Sequence, residues 1–389
     1  MTSLLHSSDL AGCSSFEVAG RPRLVVGGGS SARAGELARE IGAKKILLVT
    51  DAGIVAAGHA GRIQRSLEDA GLQVTLFDRA RENPTTRCVE DCVEVARGAE
   101  VDCIVGLGGG SSMDTAKGTN FLLTNGGRMQ DYWGVGKATK PMLPLIAIPT
   151  TAGTGSEMQS AALIADEVTH QKMACLDPKA LARIAILDPQ LTLSQPVRVA
   201  ACTGIDAVAH AVETAVTKKR NAQSLGFSRE AFQLCIGALP RVLTVPDDLQ
   251  ARARMQLGAA FAGAAIEHSM LGAAHAAANP LTAHYGVVHG HAVGVMLPAV
   301  IRFNALDAGV RAAYEALGLP VDELITRIKS LLTLAEVPRS LEEYGIPRQE
   351  IIRLAREASK QWTAGFNPRS VGENEFAGLY EEAFEAREK

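Results

Sequence analysis

Asp206 and His210 stand four residues apart in the run Gly204-Ile205-Asp206-Ala207-Val208-Ala209-His210. On a helix that spacing puts both side chains on one face, about 5–6 Å apart at Cβ. A carboxylate and an imidazole so placed can share one metal ion, or simply bond to each other. Ala207, Val208, Ala209 and Ala211 around them are apolar. A carboxylate buried among such residues without a partner costs several kcal/mol, so it needs a cation or donors. His275, within Gly272-Ala273-Ala274-His275-Ala276, and His289, within Val287-Val288-His289-Gly290, are two more imidazoles in apolar surroundings. Either one alone reads as a satisfied core histidine. Added to the first pair they make one carboxylate and three imidazoles without thiolate. That set suits Fe2+ or Zn2+ better than Mg2+ or Ca2+ and does not choose between iron and zinc.

A second group of residues could hold phosphates. Gly108-Gly109-Gly110-Ser111-Ser112-Met113-Asp114 follows a strand pattern and opens a helix pattern. Glycines there let the backbone approach a pyrophosphate, and free amides with the helix dipole favour its charge. The run is neither GxGxxG nor a Walker loop, and by itself a ligand-free strand-to-helix turn fits about as well. Thr150, Thr151 and Thr154 follow another strand pattern, where hydroxyls can wrap a nucleotide, although such loops are mostly ordinary. Asp51 ends a third. An acid there can take the ribose hydroxyls of NAD and repel the 2′-phosphate of NADP; alone it reads as the cap of the next turn.

The elements that must position these groups change character along the chain. Strand patterns at 24–26, 45–50, 73–77, 103–107 and 145–149 alternate with helix patterns at 30–41, 61–70 and 85–97. Strands apolar on both faces and separated by helices predict a parallel sheet covered on both sides. Up to Asp188 the chain mixes strand and loop. After Pro196 it is helical, with Ala-rich stretches at 200–217, 222–239 and 251–278. Pro240, Pro246, Pro280, Pro320, Pro338 and Pro347 are expected between helices. The boundary is placed near 193, giving domains 1–193 and 194–389.

Composition narrows the function classes. The 389 residues are 47% hydrophobic, which excludes a disordered chain and suggests two domains. A net charge of −3 lacks the basic footprint of a nucleic-acid binder. No apolar run reaches about 18 residues, so no membrane span is expected. The opening segment lacks a basic region ahead of an apolar core, so no signal peptide is expected either. Seven scattered cysteines, Cys13 among them, form no CxxC pair; a reducing cytoplasm is the simplest compartment.

With these residues in hand, the chain resembles the iron-containing (group III) alcohol dehydrogenases from about Phe16 to Phe384. The resemblance is carried by Val49-Thr50-Asp51, Asn83-Pro84-Thr85, the 108–118 and 148–157 runs, 186–196, 204–210, 272–275, 288–290 and Asn367-Pro368-Arg369. It implies an α/β N-terminal Rossmann-like domain plus an all-α C-terminal domain, the dehydroquinate-synthase-like fold, with the active site in the cleft between them. It implies metal ligation by Asp206, His210, His275 and His289, and NAD(H) binding at Asp51, Asn83, Gly108, Gly109, Gly110, Ser111, Ser112, Asp114, Thr150, Thr151 and Thr154. It also implies at least a homodimer. The expected reaction is hydride transfer between nicotinamide and a small alcohol or aldehyde.

Departures from the family pattern fall near the expected substrate. Asn279 stands where a second histidine is usual, and an amide cannot relay a proton. That leaves His284 and His291, or a ribose hydroxyl with water, to carry it. Glu267, His268 and His291 replace residues that are usually aromatic or small, which points to a polar or anionic aldehyde. The competing readings are a zinc glycerol-dehydrogenase-like enzyme and a non-catalytic dinucleotide-binding protein.

Overall fold

The computed structural model describes residues 16–18 and 20–384; Cys13 and the segment read for a leader lie outside them. The chain divides into two compact units. One runs to Gln195 but leaves out 152–154, and the other comprises 152–154 and 196 onward.

The first unit is built on strands β1 (Phe16–Val18), β2 (Arg23–Val26), β3 (Lys45–Val49), β4 (Gln73–Phe77), β5 (Cys103–Gly108), β6 (Gly134–Val135), β7 (Leu145–Pro149), β8 (Ala161–Ala165), β9 (Lys172–Leu176) and β10 (Ile184–Leu187). Seven of them form one sheet in the order β1-β2-β10-β7-β5-β3-β4, parallel except for the β1–β2 pair. A small sheet, β6-β9-β8, accounts for the mixed stretch before Asp188. The helices are α1 (Ala34–Glu40), α2 (Ala52–Ala56), α3 (His59–Asp69), α4 (Thr86–Ala99) and α5 (Gly110–Asn125). Alternation along one strand explains why two layers are needed. Ile46 and Leu48 of β3 pack with Leu37, Ile63 and Leu67, while Leu47 and Val49 pack with Cys92, Ala96 and Met113.

The helix expected at 30–41 opens instead as a 3-10 turn, Ser30–Arg33, ahead of α1. Asp188 is the cause: its carboxylate accepts from the amides of Gly29 and Ser31 and from the Ser31 hydroxyl, at 3.0, 3.1 and 2.6 Å.

The second unit is helical: α6 (Val197–Thr214), α7 (Ala222–Thr244), α8 (Leu249–His268), α9 (Ala273–Tyr285), α10 (His289–Asn304), α11 (Ala308–Glu315), α12 (Val321–Leu334), α13 (Ile351–Ser359) and α14 (Glu373–Phe384). One expectation fails here. Pro240 and Pro280 lie inside α7 and α9 rather than between helices. Each removes one ladder bond, at about 3 kcal/mol, and the buried faces of these helices outweigh that cost. The Ala-rich 251–278 stretch is divided between two helices, α8 ending at His268 and α9 starting at Ala273. Among the described residues no helix is long and apolar enough to cross a membrane.

Candidate active site

Helix α6 carries Asp206 and His210 one turn apart, and α9 brings His275 against them. Asp206 Oδ1 lies 3.5 Å from His210 Nε2 and 3.4 Å from His275 Nε2. One donor atom from each of the three falls within 4.8 Å of the others, and all three residues are buried. The His210 and His275 rings stack with centroids 4.9 Å apart. His289, at the start of α10, sets its ring 5.4 Å from that of His275.

Distances of 3.4–3.5 Å are too long for charge-assisted hydrogen bonds. Asp206 Oδ1 and His275 Nε2 are both buried and complete no hydrogen bond. Donors about 2.1 Å from one tetrahedral ion stand about 3.4 Å apart, so the spacing is that of a shared ligand sphere. Electrostatics agree. Burial alone would raise the Asp206 carboxyl, yet His210, His275 and His289 hold it well below the ordinary range. Burial pushes His210 down, whereas Glu213 and Asp206 overcome burial and lift His275 to about 9. Carboxylates that hold a proton there this firmly can hold a cation instead.

Two further residues of the second unit matter here: Glu213, missed in the sequence, and Asn367, quoted there only for its motif. Glu213, 2% exposed, lies 2.5 Å from His275 Nδ1 through Oε2. Asp206, His210 and Glu213 follow an i, i+4, i+7 spacing, which puts all three on one face of the helix. Asn367 of the Asn-Pro-Arg motif accepts from the Ala273 amide at 3.3 Å and bonds Asn304 in both directions. It thereby anchors the start of the helix that bears His275.

The residues expected near the substrate do not all gather here. Asn279, one turn beyond His275, is half-buried and donates to Gln361 Oε1 at 3.0 Å. His284 is nine residues beyond His275, about 14 Å along α9 and on its opposite face. It is exposed and pairs with Glu357 at 2.6 Å. His268 is exposed, stacks on Phe227 and contacts Gln223 at 3.0 Å. His291 is buried, with Nε2 unpartnered, and burial together with the charge of Arg198 pushes its pKa down. It sits about 200° round α10 from His289.

In the first unit, β5 ends at Gly108 and α5 starts at Gly110. Gly108 has φ of 144°, and a Cβ there would lie 2.5 Å from Ser112 Oγ. Ser112 Oγ in turn donates to Asp51 Oδ2, and the Thr150 amide donates to the Gly108 carbonyl at 3.0 Å. Ser111, Gly109 and Thr151 adjoin the same turn; a Cβ on Gly109 would meet Thr151 Cγ2 at 3.4 Å. Asp114 points inward, accepting from Ser156 Oγ at 3.2 Å beside the buried Lys117, and burial raises it to about 6. These contacts tie Asp114 to the interior of the first unit. Asn83 is exposed and accepts from Lys172 Nζ at 3.2 Å. Thr154 belongs with the second unit.

The family described as iron-containing alcohol dehydrogenase matches residues 22–189, and the C-terminal part of the Fe-containing alcohol dehydrogenase family matches 200–384. An NAD-dependent methanol dehydrogenase of Bacillus methanolicus is 34% identical over 373 residues, covering 93% of this chain and 98% of its own. Among solved structures, a 1,3-propanediol oxidoreductase superposes with a TM-score of 0.88 at 32% identity, covering 92% of this chain and 97% of its own. A sulfoacetaldehyde reductase from Bifidobacterium kashiwanohense, solved with NAD+, gives 0.86 at 26% identity, covering 96% of this chain and 100% of its own.

Proposed function

The chain belongs to the iron-containing alcohol dehydrogenase family, and we propose that Asp206, His210, His275 and His289 are its metal ligands. It is an NAD(H)-dependent oxidoreductase acting on a small alcohol or aldehyde, and its cofactors are NAD(H) and iron. The glycerol-dehydrogenase-like and non-catalytic alternatives are not favoured. The observation that carries the ligand assignment is the pair of buried, unbonded donors, Asp206 Oδ1 and His275 Nε2, at 3.4 Å.

When bound, the cation stabilises negative charge on the substrate oxygen as a Lewis acid, and NAD(H) supplies or takes the hydride. The residues of the chain bind and orient. The amides and hydroxyls at Gly108, Gly109, Gly110, Ser111 and Ser112 hold the pyrophosphate, Thr150 and Thr151 border it, and Asp51 takes the ribose hydroxyls. Asn279 has an amide hydrogen engaged by Gln361 and keeps a carbonyl as acceptor. It positions but cannot relay, so the proton exchanges with solvent.

For the substrate we favour a small polar aldehyde. The amide pair Asn279–Gln361 one turn from His275 supports this, as does the likeness to a reductase named for sulfoacetaldehyde. A homodimer in a reducing cytoplasm remains part of the proposal; the six described cysteines are all free, which suits that compartment. The test is NADH oxidation by the iron- and zinc-loaded enzyme over alkyl, hydroxy, carboxy, sulfo and phosphono aldehydes. Turnover confined to the alkyl members would overturn the polar-substrate proposal.

A further inference from the structure

Glu213 lies seven residues beyond Asp206 and so returns to the face of α6 that carries Asp206 and His210. Its Oε2 meets His275 Nδ1 at 2.5 Å, and its Oε1 accepts from the Ala274 amide at 2.7 Å. From this geometry we infer that Glu213 is a positioning residue of the metal centre. It fixes His275 with the ring proton on Nδ1 and ties that tautomer to the seating of α9. The inference rests on the metal-centre reading above.

A carboxylate has no proton to donate, so the bond to Nδ1 places the proton on the ring nitrogen. Nε2, which faces Asp206 Oδ1 at 3.4 Å, would then be the nitrogen that ligates a cation when one is bound. Something positive, a cation or a proton, must lie between these two atoms. The same carboxylate also holds the end of the helix. Gly272, the residue before α9, provides no side-chain cap. The first amides are received instead by remote side chains, Ala273 by Asn367 and Ala274 by Glu213. A Cβ at Gly272 would stand 3.1 Å from both Asn367 Oδ1 and Glu213 Oε1, so this end of α9 is seated tightly on the two acceptors. Ring orientation and helix position are therefore set by one group.

Glu213→Gln separates the two roles. Ala274 offers only an N–H, so the glutamine must turn its carbonyl toward the helix and its NH2 toward His275. The cap survives, but Nδ1 becomes an acceptor and the ring proton moves to Nε2, where it blocks ligation. In the full-length protein we expect Co2+ and Zn2+ to bind the Gln variant about 10–100-fold more weakly than wild type. The visible spectrum of the Co2+ form should change, while the metal-free Tm and NADH affinity stay near wild type. Wild-type Co2+ affinity and spectrum in the variant would overturn the proposal and leave Glu213 a helix cap. Failure of the wild type itself to bind metal would instead overturn the metal-centre reading. Should the variant not fold, nitrogen-15 histidine spectra of the Zn2+-loaded wild type decide the matter. Protonated Nδ1 with ligated Nε2 on His275 supports the inference, and the reverse tautomer refutes it.

Discussion

Ser112 Oγ donates to Asp51 Oδ2 at 3.2 Å, so the acid at the end of β3 and the first turn of α5 form one site. The other oxygen, Oδ1, accepts from the Ile54 amide at 3.0 Å and caps α2. A nucleotide held along Gly108 to Ser112 would bring its ribose to this carboxylate. Asp51→Asn keeps an oxygen for the cap and removes the charge. The NADP/NAD ratio of kcat/KM should rise about tenfold, equivalent to about 1.4 kcal/mol. Steady-state kinetics with both cofactors check this, and an unchanged ratio would remove Asp51 from cofactor selection.

The three-way meeting of Asp206, His210 and His275 makes a second expectation. Asp206→Ala takes away the only carboxylate among the three converging residues and leaves neutral imidazoles that hold an ion poorly. Metal content and turnover should fall together, while NADH binding, proposed above for the first unit's loops, is retained. Chelator treatment of the wild type should reproduce the loss, and added Fe2+ or Zn2+ should reverse it only there. Metal analysis beside NADH fluorescence titration reads all of this; full metal occupancy in the variant would refute the ligand assignment.

Much of this was legible in the sequence for identifiable reasons. The covered parallel sheet was visible because Lys45–Val49 and Cys103–Gly108 are apolar on both faces, which only an inner strand permits. Asp206 and His210 were visible because four residues make one helical turn. His275 and His289 carry no such local signal, and only a third and fourth donor converging from other helices gives them meaning. Glu213 was hidden because an acid seven residues on also looks like a solvated face. The break between α8 and α9 has no proline to announce it, whereas Pro240 and Pro280 announce breaks that tertiary packing overrides. The misplacement of His284 was avoidable, since nine residues carry a side chain to the opposite face of a helix.

Gly290 supplies a test of how the fourth imidazole is held. A Cβ at this position would lie 2.2 Å from the Cys202 carbonyl oxygen, so the start of α10 rests directly on the backbone of α6. Backbone cannot swing aside as a flexible side chain would. Gly290→Ala must therefore push α10 away from α6 and carry His289 away from Asp206 and His210. Overpacking of this kind costs about 1–3 kcal/mol. The variant should lose a few degrees of Tm and, more tellingly, at least about tenfold in metal affinity, as for a lost ligand contact. Isothermal titration with Zn2+ reads the second effect. Lowered stability with unchanged affinity would place His289 outside the ligand set.

Glu157 makes a prediction about pH. It is buried beside Ser156, and burial pushes its carboxyl up to about 7, with the charge of Lys117 pulling only partly back. The unfolded chain releases this proton near 4.5, the ordinary glutamate value. Between those two values the folded protein holds a proton that the unfolded chain has lost. Stability from this group is therefore fully present below pH 4.5 and falls as pH rises through 7. The loss amounts to about 3 kcal/mol on an order-of-magnitude scale. Asp114, raised to about 6, acts in the same direction, but it is present in both proteins of the comparison and largely subtracts out. Glu157→Gln abolishes the titration. The stability difference between variant and wild type should thus shift toward the variant by about 3 kcal/mol from about pH 4.5 to about pH 8. Urea unfolding of both proteins across that range measures it. A difference that stays constant would mean that Glu157 ionises in the fold without penalty, with Lys117 or a donor compensating its charge.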